Sequence, residues 1–87
     1  MRFLGIDFGL KRVGLALSDE SGTLAFPHSV LPNNKNLVAE VALVAREQKV
    51  KAIVLGESKD LSGKDNPLQK EIEEFKKDVM KETKKPV

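Results

Sequence analysis

The sequence predicts an α/β domain on a mixed β-sheet: three strands in an antiparallel meander, then helix, strand and helix. Three observations predict it. Residues 2–8 and 12–18 are short apolar segments on either side of a glycine-containing connection. Between Leu37 and Lys49 the apolar period changes to that of a helix. A continuous apolar run at residues 51–56 is then followed by a second helical stripe.

Residues 2–8 read as the first strand and 12–18 as the second, closed into a hairpin through Gly9-Leu10-Lys11. Asp19-Glu20-Ser21-Gly22 is turn chemistry: an aspartate that can cap its own backbone and a glycine that accepts positive φ. Residues 23–30 form the third strand, and Pro27 within it removes a ladder donor, which predicts an edge position. Residues 31–36 are polar loop, and Asn36 is placed as the N-cap of the first helix. Leu37, Val41, Val44, Ala45 and Gln48 share one face of that helix. The run 51–56 has the pattern of a strand buried on both faces, in the parallel part of a sheet. A polar loop holding Gly63 leads to Asn66-Pro67, which opens the second helix with Gln69 placed for a capping box. Leu68, Ile72, Phe75 and Val79 form its apolar stripe; Pro86 stops it, and Val87 begins a further strand.

With 87 residues there is room for a single domain, residues 1–87. The net charge of +2 does not by itself announce nucleic acid. The absence of cysteine excludes a disulfide scaffold, a zinc-thiolate site and a cysteine nucleophile. No apolar run approaches the roughly 20 residues a membrane span needs, and the first residues lack a signal peptide's apolar region. A cytoplasmic protein with no membrane partner is the expectation.

The chemistry concentrates in residues 5–19. Asp7 lies in an apolar strand, where an ionised carboxylate is costly unless it is paired or bound to a metal. Alternation puts Gly5, Asp7 and Gly9 on one face, and Gly14, Ala16 and Ser18 on one face of the neighbouring strand. The glycines permit close approach of a bulky, charged ligand through a metal ion. The plain alternative is that Asp7 accepts backbone hydrogen bonds or pairs with Lys11 or Arg12. Those two basic residues, at the hairpin tip, are candidates for phosphate contacts, or else are solvated turn residues. Glu57 follows the strand end at Gly56 and is a second candidate acid; beside Asp7 it would give an oxygen site for Mg²⁺ or Mn²⁺. Asp60 and Asp65 read as turn and cap residues, and His28 as structural or exposed. Phe3, Phe8 and Phe75 read as core, leaving no exposed aromatic platform for base stacking.

At Gly5-Ile6-Asp7-Phe8-Gly9, Lys11 to Ala16 and Ser18-Asp19 the chain resembles the YqgF/RuvX family of pre-16S ribosomal RNA processing nucleases, also described as Holliday junction resolvase-like. The resemblance extends through Ile53-Val54-Leu55-Gly56 to the last helix. It implies a ribonuclease H-like fold and metal-dependent cleavage of phosphodiester bonds in structured RNA or branched DNA. Asp7 matches the family's first-strand metal-binding aspartate, and Lys11 and Arg12 its basic hairpin. Family members usually carry Leu-Pro where this chain has Glu57-Ser58. Junction-resolving relatives place a metal-binding glutamate there, which strengthens Glu57. The family also continues into a strand with an Asp-Glu-Arg motif and a helix with another aspartate. The domain therefore reads as incomplete, and weak metal binding with poor cleavage is the expectation for these residues alone. A partner, either a second copy or a separate C-terminal half, would then complete the sheet. Two other readings stay open. One is a non-catalytic nucleic-acid-binding or assembly module. The other is a fragment of an actin-like or sugar-kinase ATPase, whose phosphate-binding hairpin the Asp-Phe-Gly-x-Lys segment resembles.

Overall fold

The structure, a computed structural model, describes residues 1–56 and 69–87. The elements run β1 (Phe3–Phe8), β2 (Arg12–Ser18), β3 (Ala25–Pro32), α1 (Leu37–Glu47), β4 (Ala52–Gly56) and α2 (Gln69–Thr83). They form a four-stranded sheet in the order β3-β2-β1-β4. β1 pairs antiparallel with β2 and parallel with β4, and β2 pairs antiparallel with β3. β3 is an edge strand, as Pro27 predicts. Its pairing with β2 shifts register between Leu15 and Ala16, where His28 is the extra residue. β3 starts and ends two residues later than the sequence suggests and takes in Leu31 and Pro32.

One face of the sheet carries both helices. Leu4, Ile6 and Phe8 of β1, Val13 and Leu15 of β2 and Ile53 of β4 are buried against Leu37, Val41 and Ala45 of α1 and Ile72, Phe75 and Val79 of α2. The rings of Phe8 and Phe75 meet at 5.0 Å between centroids. The α2 stripe is the expected one as far as it is described; Leu68, Asn66, Pro67, Gly63 and the side chain of Gln69 lie outside the described residues.

Among the described residues nothing covers the other face, and this corrects two expectations. β4 is not buried on both faces: Ile53 is buried, but Val54 is 57% exposed. Its apolar run is continuous because Val54 joins Val30 and Ala16 on the open side instead of a second core. Asp7, likewise, is exposed and has no desolvation cost to offset.

The helix ends differ from the sequence reading in instructive ways. Asn36 is in helical φ/ψ and makes no side-chain cap. Asn34 does that work instead: its Oδ1 accepts from the Asn36 N–H at 2.9 Å and its carbonyl from the Leu37 N–H at 3.1 Å. α1 closes at Glu47 with a Schellman motif in which the Lys49 N–H donates to the Arg46 carbonyl and the Val50 N–H to the Ala45 carbonyl. Lys49 takes the left-handed position, φ 54°, usually given to glycine, and Val50 is sealed into the core. α2 also ends on a left-handed lysine, Lys84, φ 56°, but through a single bond from its N–H to the Met80 carbonyl at 2.8 Å, before Pro86 is reached. The Ile53 N–H donates to the Pro86 carbonyl at 2.9 Å, so the segment at Pro86 lies along β4, on the side away from β1.

Candidate functional site

Asp7 is the penultimate residue of the hydrogen-bonded register of β1, at the C-terminal ends of two parallel strands. In open sheets with parallel strands, ligands bind beyond such ends. Across from Asp7 stand Gly14 of β2 and Gly56 of β4. Gly5 and Gly9 stand two residues to either side along β1. Four of the chain's six glycines therefore surround this one carboxylate. The sequence alone marks three of them; Gly56 joins through the parallel register, which no local pattern carries. The surrounding floor is a shallow depression whose walls include Ala16, Pro27, Val30 and Val54. The carboxylate is thus exposed and approachable, and the floor beside it is mostly nonpolar.

The glycines are not equivalent. A Cβ at Gly5 would stand 3.8 Å from the Ala16 carbonyl oxygen, and one at Gly14 would stand 3.8 Å from the Asp7 Cβ, both ordinary contacts. At Gly56 the nearest atom would be the Ile6 carbonyl oxygen at 3.6 Å. At Gly9 a Cβ would meet the Arg12 carbonyl oxygen at 2.6 Å, which the backbone forbids. Gly9 is needed to close the hairpin; Gly14 and Gly56 keep the approach to Asp7 low.

Lys11 and Arg12 are both exposed at the hairpin tip. Arg12 shares its face with Gly14 and is diagonal to Asp7 across the β1–β2 pair. The tip is held by a residue the sequence reading passes over. Asn33 donates from Nδ2 to the Gly9 carbonyl at 2.7 Å and from its backbone N–H to the Lys11 carbonyl at 2.9 Å. Its only signal is its place in a polar Asn-Asn pair after β3. Ser18 is occupied structurally, since its Oγ accepts from the Phe3 N–H at 2.7 Å and donates to the Asp19 carbonyl. His28 is exposed and its Nδ1 lies 2.9 Å from the Ser29 hydroxyl. Of the three rings read as core, Phe8 and Phe75 are buried but Phe3 is only half-buried, and Phe26, 57% exposed, stands outside the core, against the expectation of no exposed aromatic.

Glu57, Asp60 and Asp65 lie outside the described residues. Among the described residues no three His, Asp or Glu side chains gather into a group that could hold a metal ion. The described part of the site thus fits a hard cation by donor chemistry, one exposed carboxylate oxygen pair, but not by donor number. Among the described residues no helix is long and apolar enough to cross a membrane.

The family model described as "RuvX: Holliday junction resolvase" matches residues 1–87. Among curated proteins, the chain is 35% identical over 89 residues to a "Putative pre-16S rRNA nuclease" of Nitratidesulfovibrio vulgaris, covering all of this chain and 63% of the relative. Proteins of the same name from Maridesulfovibrio salexigens (36% identical, 86% of this chain and 57% of the relative) and Anaplasma marginale (33%, 94% and 54%) are also similar. The chain spans 54–63% of the length of these relatives.

Proposed function

The chain belongs to the RuvX family, described as Holliday junction resolvases, and on that footing we propose that the protein is a nuclease of ribonuclease H-like fold. The substrate we infer is the 5′ region of pre-16S rRNA or another structured nucleic acid, in keeping with the names its relatives carry. One observation carries the proposal: an exposed aspartate ringed by four glycines at the C-terminal ends of two parallel strands. A phosphodiester is bulky and anionic, and a bare carboxylate repels it. Mg²⁺ or Mn²⁺ held by Asp7 would bridge the two and polarise the phosphoryl group. Glu57, joined by a peptide bond to the residue opposite Asp7, is the second ligand we propose. Lys11 and Arg12 would hold the flanking phosphates, with Asn33 fixing the loop they stand on.

Asp7 and Glu57, the two acids assigned here, are two of the roughly three or four carboxylates that a two-metal site uses. The chain by itself should bind Mn²⁺ weakly and cleave poorly, and calorimetric titration with Mn²⁺ measures the first. The decisive experiment uses the complete protein with a 5′-extended 16S rRNA fragment and a four-way DNA junction. Metal-dependent cleavage abolished by Asp7→Asn, with the fold unchanged, is the expected result. Cleavage indifferent to Asp7→Asn rejects the assignment. The non-catalytic reading rests on Asp7 being the one acid among the described residues that line the depression. It predicts nucleic-acid binding without cleavage under any metal. The exposure of Val30 and Val54 on the open sheet face favours a partner seated there, a second copy or a separate C-terminal half. Sedimentation showing a well-folded monomer that recruits neither would reject that part. In this reading the protein works in the cytoplasm.

A further inference from the structure

A second charged surface lies at the opposite end of the sheet from Asp7. Arg46, Lys49, Lys51 and Lys85 line one depression of about 500 Å³, with Glu82 the sole acid among the described residues of its wall. It sits where both helices end and where β4 begins; the Lys51 N–H donates to the Arg2 carbonyl, just ahead of β1. Five residue steps of strand lead from Arg2 to Asp7, about 17 Å. The charge balance can be worked out. Four cations face one carboxylate and two helix C-termini of about −0.5 each, which leaves about +2. An adjoining depression shares Lys49 and Lys51 and adds Arg2 and the Met1 amino group against Glu20 and Glu47, which cancel.

A second observation points the same way. Lys49 and Lys84 both hold left-handed φ at helix ends, where glycine is favoured. Keeping a lysine there costs stability, and at Lys49 the cost places a cation on the wall of both depressions.

We propose that this depression binds the phosphate backbone of nucleic acid, as a contact separate from the Asp7 end; the idea rests on the nucleic-acid part of the function proposed above. Phosphates recognised in this way fix register and carry no sequence information. The competing explanation is that these cations only complement the helix dipoles.

The two differ in a measurable way, because Lys49→Gly relieves the backbone while removing the charge. A short RNA duplex serves as probe for the full chain, with affinity followed by anisotropy across a salt series. Lys49→Gly, Lys51→Gln and Lys85→Gln should each weaken binding several-fold at low salt. Each should also flatten the slope of log K against log salt by about 0.9. Lys49→Gly should show an equal or higher denaturation midpoint, so its loss of binding is not misfolding. Lys70→Gln, an exposed lysine on α2 outside both depressions, should leave the slope unchanged. An unaltered slope in the triple variant overturns the proposal. So does an equal loss from Lys70→Gln, or a wild-type chain that does not bind. Cleavage assays on the same substitutions placed in the complete protein separate the two ideas. Salt-slope changes without any cleavage reject the nuclease reading alone, whereas cleavage lost in Asp7→Asn with unaltered lysine slopes rejects this one alone.

Discussion

Replacing Gly9 by alanine tests whether hairpin closure fixes the geometry of the Asp7 end. The added Cβ would stand 2.6 Å from the Arg12 carbonyl oxygen, while ordinary contact begins near 3.4 Å. One strand must therefore retreat by several tenths of an ångström. Neither is free to do so. Arg12 is paired with Pro32 in the β2–β3 ladder, and the Gly9 carbonyl is held by Asn33 at 2.7 Å. Forced overpacking of this kind costs about 1–3 kcal/mol. An 87-residue domain has about 4–13 kcal/mol of stability in total. At 2 kcal/mol the melting temperature should fall by about 8–16 °C. Guanidinium denaturation of Gly9→Ala against Gly5→Ala and Gly14→Ala is the assay, because those two positions meet only ordinary contacts at 3.8 Å. They should stay within about 1 kcal/mol of wild type, or gain slightly from the stiffer unfolded chain. Gly9→Ala as stable as Gly14→Ala would refute the steric argument.

Three further outcomes follow from single positions. Asn33→Ala deletes the bond from Nδ2 to the Gly9 carbonyl and should cost about 1 kcal/mol, read as a lower denaturation midpoint with faster amide exchange at the hairpin tip. Lys84→Gly should raise stability by about 1 kcal/mol, since Lys84 holds φ 56° where only glycine is unstrained. Partial desolvation pushes the Asp19 carboxyl up, but hydrogen bonds from Ser21 and from the Thr23, Leu24 and Gly22 backbone outweigh it and hold the group below the ordinary aspartate range. A lowered folded-state pKa gives stability that is present at neutral pH and is lost as pH falls through the lowered value. Acid titration of stability should therefore show a component below the ordinary aspartate range that disappears in Asp19→Asn.

Local chemistry made the hairpin legible. The glycine-bounded apolar segments give β1 and β2, and Asp19 with Gly22 gives the turn after them: Asp19 Oδ1 accepts from the Thr23 N–H at 3.0 Å and Gly22 takes φ 74°. What failed was partly local and partly long-range. Asn36 has the right residue type for a cap, yet it is already in helical φ/ψ, and Asn34 makes the turn before the helix by accepting from the Asn36 and Leu37 N–H groups. Val50 is fully buried, although it lies between two lysines, because the Schellman turn at Lys49 directs it inward. An apolar run such as residues 51–56 does not say how many faces are covered; that depends on where both crossover helices lie, and here they share a side. The same fact placed Asp7 in water and not in a core, although its strand reads as apolar throughout.

The exposure of that face, as far as the described residues go, bears on what Asp7 can do. In water, two unit charges 4 Å apart interact by about 1 kcal/mol, and at an effective dielectric of 20 by about 4 kcal/mol. A lone carboxylate open to solvent therefore holds a divalent cation loosely. The glycines at positions 14 and 56 make this worse for affinity and better for access, since no side chain shields the acid from either neighbouring strand. Whatever covers Val30 and Val54 would lower the local dielectric beside Asp7 and exclude water from its surroundings. Covering the face and adding further carboxylates act on the same quantity, the free energy of a bound cation, and each strengthens the other. An increase in Mn²⁺ affinity on supplying the covering segment, larger than the segment's own affinity for the ion accounts for, is the signature of that coupling.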